Sequence, residues 1–123
     1  MQKYNSKFKS DLVVRCYNLS LKVIFLADTF PTKKSAWIIA DQLIRSATSI
    51  GANLVEARAS SSRIEFKKFH EIALKSANET QYWLCLLRDS HFIETEKVNV
   101  LLNEVIEISK MIASGVIKLK QKN

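Results

Sequence analysis

Long apolar runs are missing from this 123-residue chain, and stretches such as Val23 to Ala27 are far too short to span a bilayer. The opening residues, Met1 to Lys7, lack the apolar core and small-residue cleavage site of a signal peptide, so the expected location is the cytoplasm. Cysteine is scarce: Cys16 and Cys85 both lie on apolar stripes, where a free thiol behaves as a small hydrophobe. Two isolated thiols point to a reducing compartment rather than a disulfide frame. The signatures of metal chemistry are absent as well. There is no Cys-x-x-Cys, and neither His70 nor His91 has a carboxylate three residues before it, as a di-iron bundle requires. No metal and no cofactor are therefore expected. Only two glycines occur, Gly51 and Gly115, both inside predicted helices, where each costs roughly 1 kcal/mol relative to alanine. Both are read as points of close helix approach, Gly115 within an apolar seam and Gly51 beside one.

What the chain has in abundance is helical periodicity. Leu12, Cys16, Leu19, Val23 and Leu26 step by four and three, predicting a helix over about 9–27 with Phe30 continuing its register. Pro31 ends it, because proline restricts the residue before it and cannot donate within a helix. A second helix is predicted over 34–57, its seam being Ala36, Ala40, Leu43, Ala47, Ile50, Leu54 and Ala57. Ser62 with Glu65 three residues on is a capping-box signature, so a third helix is placed at 62–88, carrying Phe66, Phe69, Ala73, Ser76, Thr80, Trp83 and Leu87 on one face. Asp89-Ser90-His91 breaks it. Thr95 is the expected N-cap of a fourth helix, 95–120, whose seam runs through Val98, Leu101, Val105, Ile108, Ile112, Gly115 and Leu119. Four amphipathic helices with short connections favour an all-α, up-down-up-down antiparallel bundle. One domain over 1–123 is expected, long enough to bury roughly two thirds of its unfolded surface.

Beside the second seam runs a polar stripe: Gln42, Arg45, Ser46, Ser49, Asn53 and Glu56. It is short of long charges and rich in hydrogen-bonding groups, unlike an ordinary solvated face. The motifs of this region, Asp41-Gln42-Leu43, Arg45-Ser46, Ser49-Ile50, Asn53 and Glu56-Ala57, followed by Glu65-Phe66, Ala73, Glu79-Thr80 and Trp83-Leu84, resemble those of a four-helix-bundle family. That family was first noticed as reading frames in intervening sequences of bacterial 23S ribosomal RNA genes, and its members are often labelled ribosomal proteins. The outer helices match it only in length and apolar pattern. The resemblance implies a homopentamer, and a related bundle is the accessory variability determinant of diversity-generating retroelements, a ring that binds nucleic acid and a reverse transcriptase.

Nineteen Lys and Arg against twelve Asp and Glu give a net charge of +7, which attracts polyanions without selecting one. Threading the charges through the bundle concentrates them. One pole collects Lys3, Lys7, Lys9, Arg58, Arg63, Lys67, Lys68, Lys118, Lys120 and Lys122 against Asp11, Glu56, Glu65 and Glu71. The other sets Lys33, Lys34, Arg88 and Lys97 against Asp28, Asp41, Asp89, Glu94 and Glu96. In a ring with like poles together, the basic ends form an annulus suited to RNA or DNA backbones.

Other readings are weighed beside this one. The stripe Gln42, Arg45, Ser49, Asn53 and Glu56, with Glu79 on the third helix, is a structural or oligomer-specifying network ahead of a ligand site, since half-buried charge needs a partner. Arg63 and His70 resemble the Arg-to-His spacing of small all-helical HEPN ribonucleases, but Ile64 stands where those enzymes carry a polar residue. Seven residues apart on one helix, the two sit about 10 Å from each other, so neither assists the other within a subunit. No catalytic residue is assigned. Trp37, Phe66, Phe69, Tyr82 and Trp83 could stack on bases, yet packing is their default role, with Trp37 and Tyr82 placed at contacts between protomers. The function expected is a non-enzymatic oligomeric module that binds nucleic acid; the alternative is a scaffold that docks an unidentified protein partner, and a HEPN-like ribonuclease ranks last.

Overall fold

The computed structural model describes residues 11–121. Four helices follow in order: α1 (Leu12–Ala27), α2 (Lys34–Arg58), α3 (Arg63–Ser90) and α4 (Thr95–Gln121). Each packs on its chain neighbour, and α1 returns to α4, which closes an antiparallel up-down-up-down bundle. Among the described residues no helix is long and apolar enough to cross a membrane.

Local chemistry sets the helix ends. Asp11 has extended backbone and its carboxylate accepts the Val13 N–H at 2.8 Å, which caps α1 at Leu12; the start near Lys9 that the periodicity implied lies outside the described residues. Ser62 caps α3 as expected: its hydroxyl accepts the Glu65 N–H at 3.1 Å, while the Glu65 carboxylate reaches back to the Ser61 N–H at 3.2 Å. That helix continues to Ser90 and stops at His91, which takes the left-handed conformation (φ 60°) common just past helix ends. Thr95 is not the cap of α4 but its first residue. The Glu94 carbonyl, one position earlier, accepts from both Lys97 and Val98.

The core follows the seams of α1, α2 and α4 closely. Cys16, Leu19 and Val23 meet Leu43, Ala47, Ile50 and Leu54, and Val98, Val105, Ile108 and Ile112 close the other side, all nearly or wholly buried. Leu12, Leu26 and Phe30 pack at its margin. On α3 the seam differs from the sequence expectation. Ala73, Ala77, Thr80, Leu84 and Leu87 are buried, whereas Phe66, Phe69, Ser76 and Trp83 are only half-buried. Periodicity favours large apolar groups, but α3 lies against the serine-rich flank of α2, where alanine and threonine fit and aromatic rings are displaced sideways.

The two glycines also part company. A Cβ at Gly51 would lie 3.0 Å from the Cβ of Cys16, so α1 and α2 meet where no larger residue fits without movement. A Cβ at Gly115 meets nothing within 4 Å, and its neighbour Val116 takes the buried place instead. Close packing therefore explains Gly51 and leaves Gly115 unexplained. Cys16 is fully buried, and burial pushes its thiol up to about 12; Cys85 is half-buried, and both thiols are free.

Candidate nucleic-acid interface

The chain reversal at each loop gathers the C-terminal end of α2, the N-terminal ends of α1 and α3, and the last turns of α4 at one end of the bundle. Contacts confirm the convergence. Arg58 of α2 donates to the Asp11 carboxylate at 2.8 Å, and Lys120 of α4 lies 3.8 Å from Glu71 of α3. Lys3, Lys7, Lys9 and Lys122, counted with this end from the sequence, lie outside the described residues. The remaining six cations therefore divide. Arg58 and Lys120 are ion-paired, while Arg63, Lys67, Lys68 and Lys118 have no acidic partner among the described residues. Arg63, Lys67 and Lys68 share one shallow recess of about 180 Å³ on α3 with Glu71 and the largely exposed Ile64.

Asp11 has two duties here, capping α1 and holding Arg58. Partial burial pushes its carboxyl up, but the hydrogen bonds from Arg58 and from the Val13 and Val14 backbone outweigh it and leave the group below its ordinary value.

The opposite end is arranged differently. Arg88 bonds the neighbouring Asp89 at 2.9 Å, Lys97 sits 3.6 Å from Glu94, and the Lys33 ammonium lies 5.8 Å from the centre of the Phe92 ring. Asp28, Asp41 and Glu96 add negative charge with no ion-pair partner among the described residues. Most cations at this end are thus already satisfied within the fold.

Between the ends, the polar stripe of α2 faces α3 and joins it. Ser46 and Thr80, both fully buried, are linked at 3.0 Å, and Ser49 and Ser76 at 2.8 Å. Asn53 donates to the Ser49 carbonyl at 2.8 Å and to its hydroxyl at 3.0 Å. Toward the rim, Arg45 is held by Gln42 at 2.8 Å and pairs with Glu79, which also accepts the Trp83 indole N–H at 2.8 Å. The indole, against slight burial and with Arg45 assisting, holds the Glu79 carboxyl below its ordinary range. Glu56 is exposed and outside this network. The charged members are not shielded as the sequence implied, since the Arg45 side chain is 55% exposed; only the hydroxyl rungs are buried. Among the described residues no buried side-chain polar atom lacks a partner.

One cluster escaped sequence reasoning. Arg15 of α1 reaches α4, donating to both carboxylate oxygens of Glu104 at 2.8 and 3.1 Å and pairing with Glu107 at 2.9 Å. The two carboxylates hold the guanidinium firmly in its charged form. Its signal was present: Arg15 borders the α1 seam, and Glu104 and Glu107 border the α4 seam at helical spacing.

His70 sits half-buried on α3, its Nδ1 3.0 Å from the Phe66 carbonyl and its ring 4.4 Å from the Phe66 ring. Arg63 is at the exposed start of the same helix. Trp37 and Tyr82 are both more than half exposed. Among the described residues no group of three His, Cys, Asp or Glu side chains is gathered as a metal site.

A family model described as 23S rRNA-intervening sequence protein matches residues 9–114. A crystal structure from Bacteroides thetaiotaomicron, described as a protein with unknown function from the S23 ribosomal protein family, superposes with a TM-score of 0.80 at 33% identity, over 86% of this chain and 98% of that one. No curated protein is significantly similar to the chain.

Proposed function

Since the chain belongs to the 23S rRNA-intervening sequence protein family, we propose that it is a non-enzymatic, homo-oligomeric bundle that binds nucleic acid, RNA before DNA, through its basic end. The observation that carries this reading is the group Arg63, Lys67, Lys68 and Lys118, cations from α3 and α4 gathered at one end with no acidic partner among the described residues. Unpaired surface cations gain by displacing counterions from a phosphate backbone, whereas cations already paired gain little. Reversing Arg63, Lys67 and Lys68 to Glu is expected to weaken binding of structured RNA, measured by fluorescence anisotropy, far more than reversing Lys33, Lys34 and Lys97. Equal losses from the two triples contradict the proposal.

A second reading, a scaffold for protein contacts, is favoured by the outer face of the α1–α2 pair. There Tyr17, Leu21, Ile24, Ala52 and Val55 line an open groove of about 400 Å³, with Gly51 at its floor. Such a face supports self-association as readily as docking of another protein. A solution mass equal to one chain across the working concentration range counts against the homo-oligomer.

A further inference from the structure

Gly115 poses a question that packing does not answer. A glycine inside a helix costs roughly 1 kcal/mol relative to alanine, and that cost is usually offset where two backbones approach. Here the space over Gly115 is open, and it forms part of a recess of about 270 Å³ between α3 and α4, lined by Phe66, His70, Gly115, Lys118 and Leu119. The walls are two aromatic rings and one aliphatic side chain; Lys118, on the lining, has no acidic partner among the described residues, and no carboxylate lines the recess. The volume is slightly below that of a typical drug-sized site, roughly 300 Å³ and upward, and suits a single flat ring. A cation at the lip of an aromatic recess is the arrangement that single-strand binders use, the ring holding a base and the cation its phosphate.

We infer that this recess receives one unpaired base of a single-stranded RNA, stacked against the Phe66 and His70 rings, with the adjoining phosphate on Lys118. The inference rests on the reading of the basic end as a nucleic-acid surface and adds to it a site for the base itself. Gly115 then has a reason: a side chain at that position occupies the space the base needs.

The full-length protein, with NMR signals assigned for the Gly115 amide and the His70 ring, is titrated with a short oligouridylate and, separately, with inorganic polyphosphate. The oligouridylate is expected to shift both signals, while polyphosphate perturbs the lysines alone. Gly115→Leu is expected to abolish the base-dependent shifts and to weaken oligouridylate binding about tenfold, the scale of losing one stacked base. Leucine is a good helix former at an open position, so the variant folds; His70→Leu gives a second route to the same loss without filling the recess. Identical shifts from RNA and polyphosphate, or undiminished RNA binding in both variants, overturn the base site. If RNA binding stays salt-sensitive and dependent on Arg63, Lys67 and Lys68 in that case, the basic-end reading survives alone. If the Gly115 and His70 signals move but reversal of those three cations changes nothing, the base site stands and the basic-end reading falls. No RNA binding at low salt overturns both.

Discussion

The two ends of this bundle carry the same residue types and use them differently. At the α1–α2 and α3–α4 turns, Arg88 and Lys97 are matched to Asp89 and Glu94 one and three residues away, and Lys33 is placed over Phe92. At the other end, Arg58 and Lys120 find Asp11 and Glu71 across the bundle, and four further cations find no acid among the described residues. The difference teaches that the count of charges at a pole is a poor guide to what it offers a ligand. What matters is the charge left over once the fold has used its share.

That contrast can be broken most directly by charge reversal. Changing Arg63, Lys67 and Lys68 to Glu is expected to lower RNA affinity on the order of a hundredfold at low salt, because three phosphate contacts become repulsive. The same change at Lys33, Lys34 and Lys97 is expected to lower it only a few-fold.

A subtler alteration works through Asp11. Asp11→Ala removes the α1 cap and is expected to cost about 1 kcal/mol of stability in urea unfolding, while releasing Arg58 and tightening RNA binding a few-fold. Opposite signs for stability and binding distinguish a free cation from general loosening, which would lower both. Acid does the same reversibly. Because the Asp11 carboxyl is held below its ordinary value of 3.8 in the fold, its contribution is complete above the unfolded value and disappears as pH falls through the folded one. Unfolding measured between about pH 5 and 2 should show a shallower loss of stability in Asp11→Asn than in the parent chain.

Gly115→Ala is expected to stabilise the protein by up to about 1 kcal/mol, since the added methyl meets open space. The smallest effect belongs to the far end. Glu94→Gln removes the exposed partner of Lys97 and is expected to change stability by less than about 0.5 kcal/mol and RNA binding not at all.

Much of the fold was legible because three of its helices obey one rule. On α1, α2 and α4 the residues that step by three and four are the ones the bundle buries, whatever their size, so periodicity and burial agree, as with Leu19, Leu43 and Ile108. On α3 they disagree. Its aromatics Phe66, Phe69 and Trp83 outrank Ala73 and Ala77 in hydrophobicity, yet the close, hydroxyl-lined contact with α2 selects the alanines. The capping box at Ser62 was legible because it depends on residues three apart, whereas the true start of α4 depended on a backbone carbonyl that any residue supplies. Topology sufficed to bring Arg58, Lys118 and Lys120 to one end. Which of them would be consumed by Asp11 and Glu71 was not legible, since that depends on side-chain reach across helices. For the same reason Arg15 and Glu104, 89 residues apart, escaped notice although each borders a seam that was correctly placed.

The central claim is that unpaired cations at one end engage a phosphate backbone, and the salt dependence of binding tests it most directly. Anisotropy titrations of the wild-type protein with single-stranded RNA, repeated over a range of salt, should give a straight decline of log K with log salt. Four engaged cations at about −0.7 each predict a slope on the order of −3. Failure to bind at low salt, or an affinity that does not change with salt, contradicts the account.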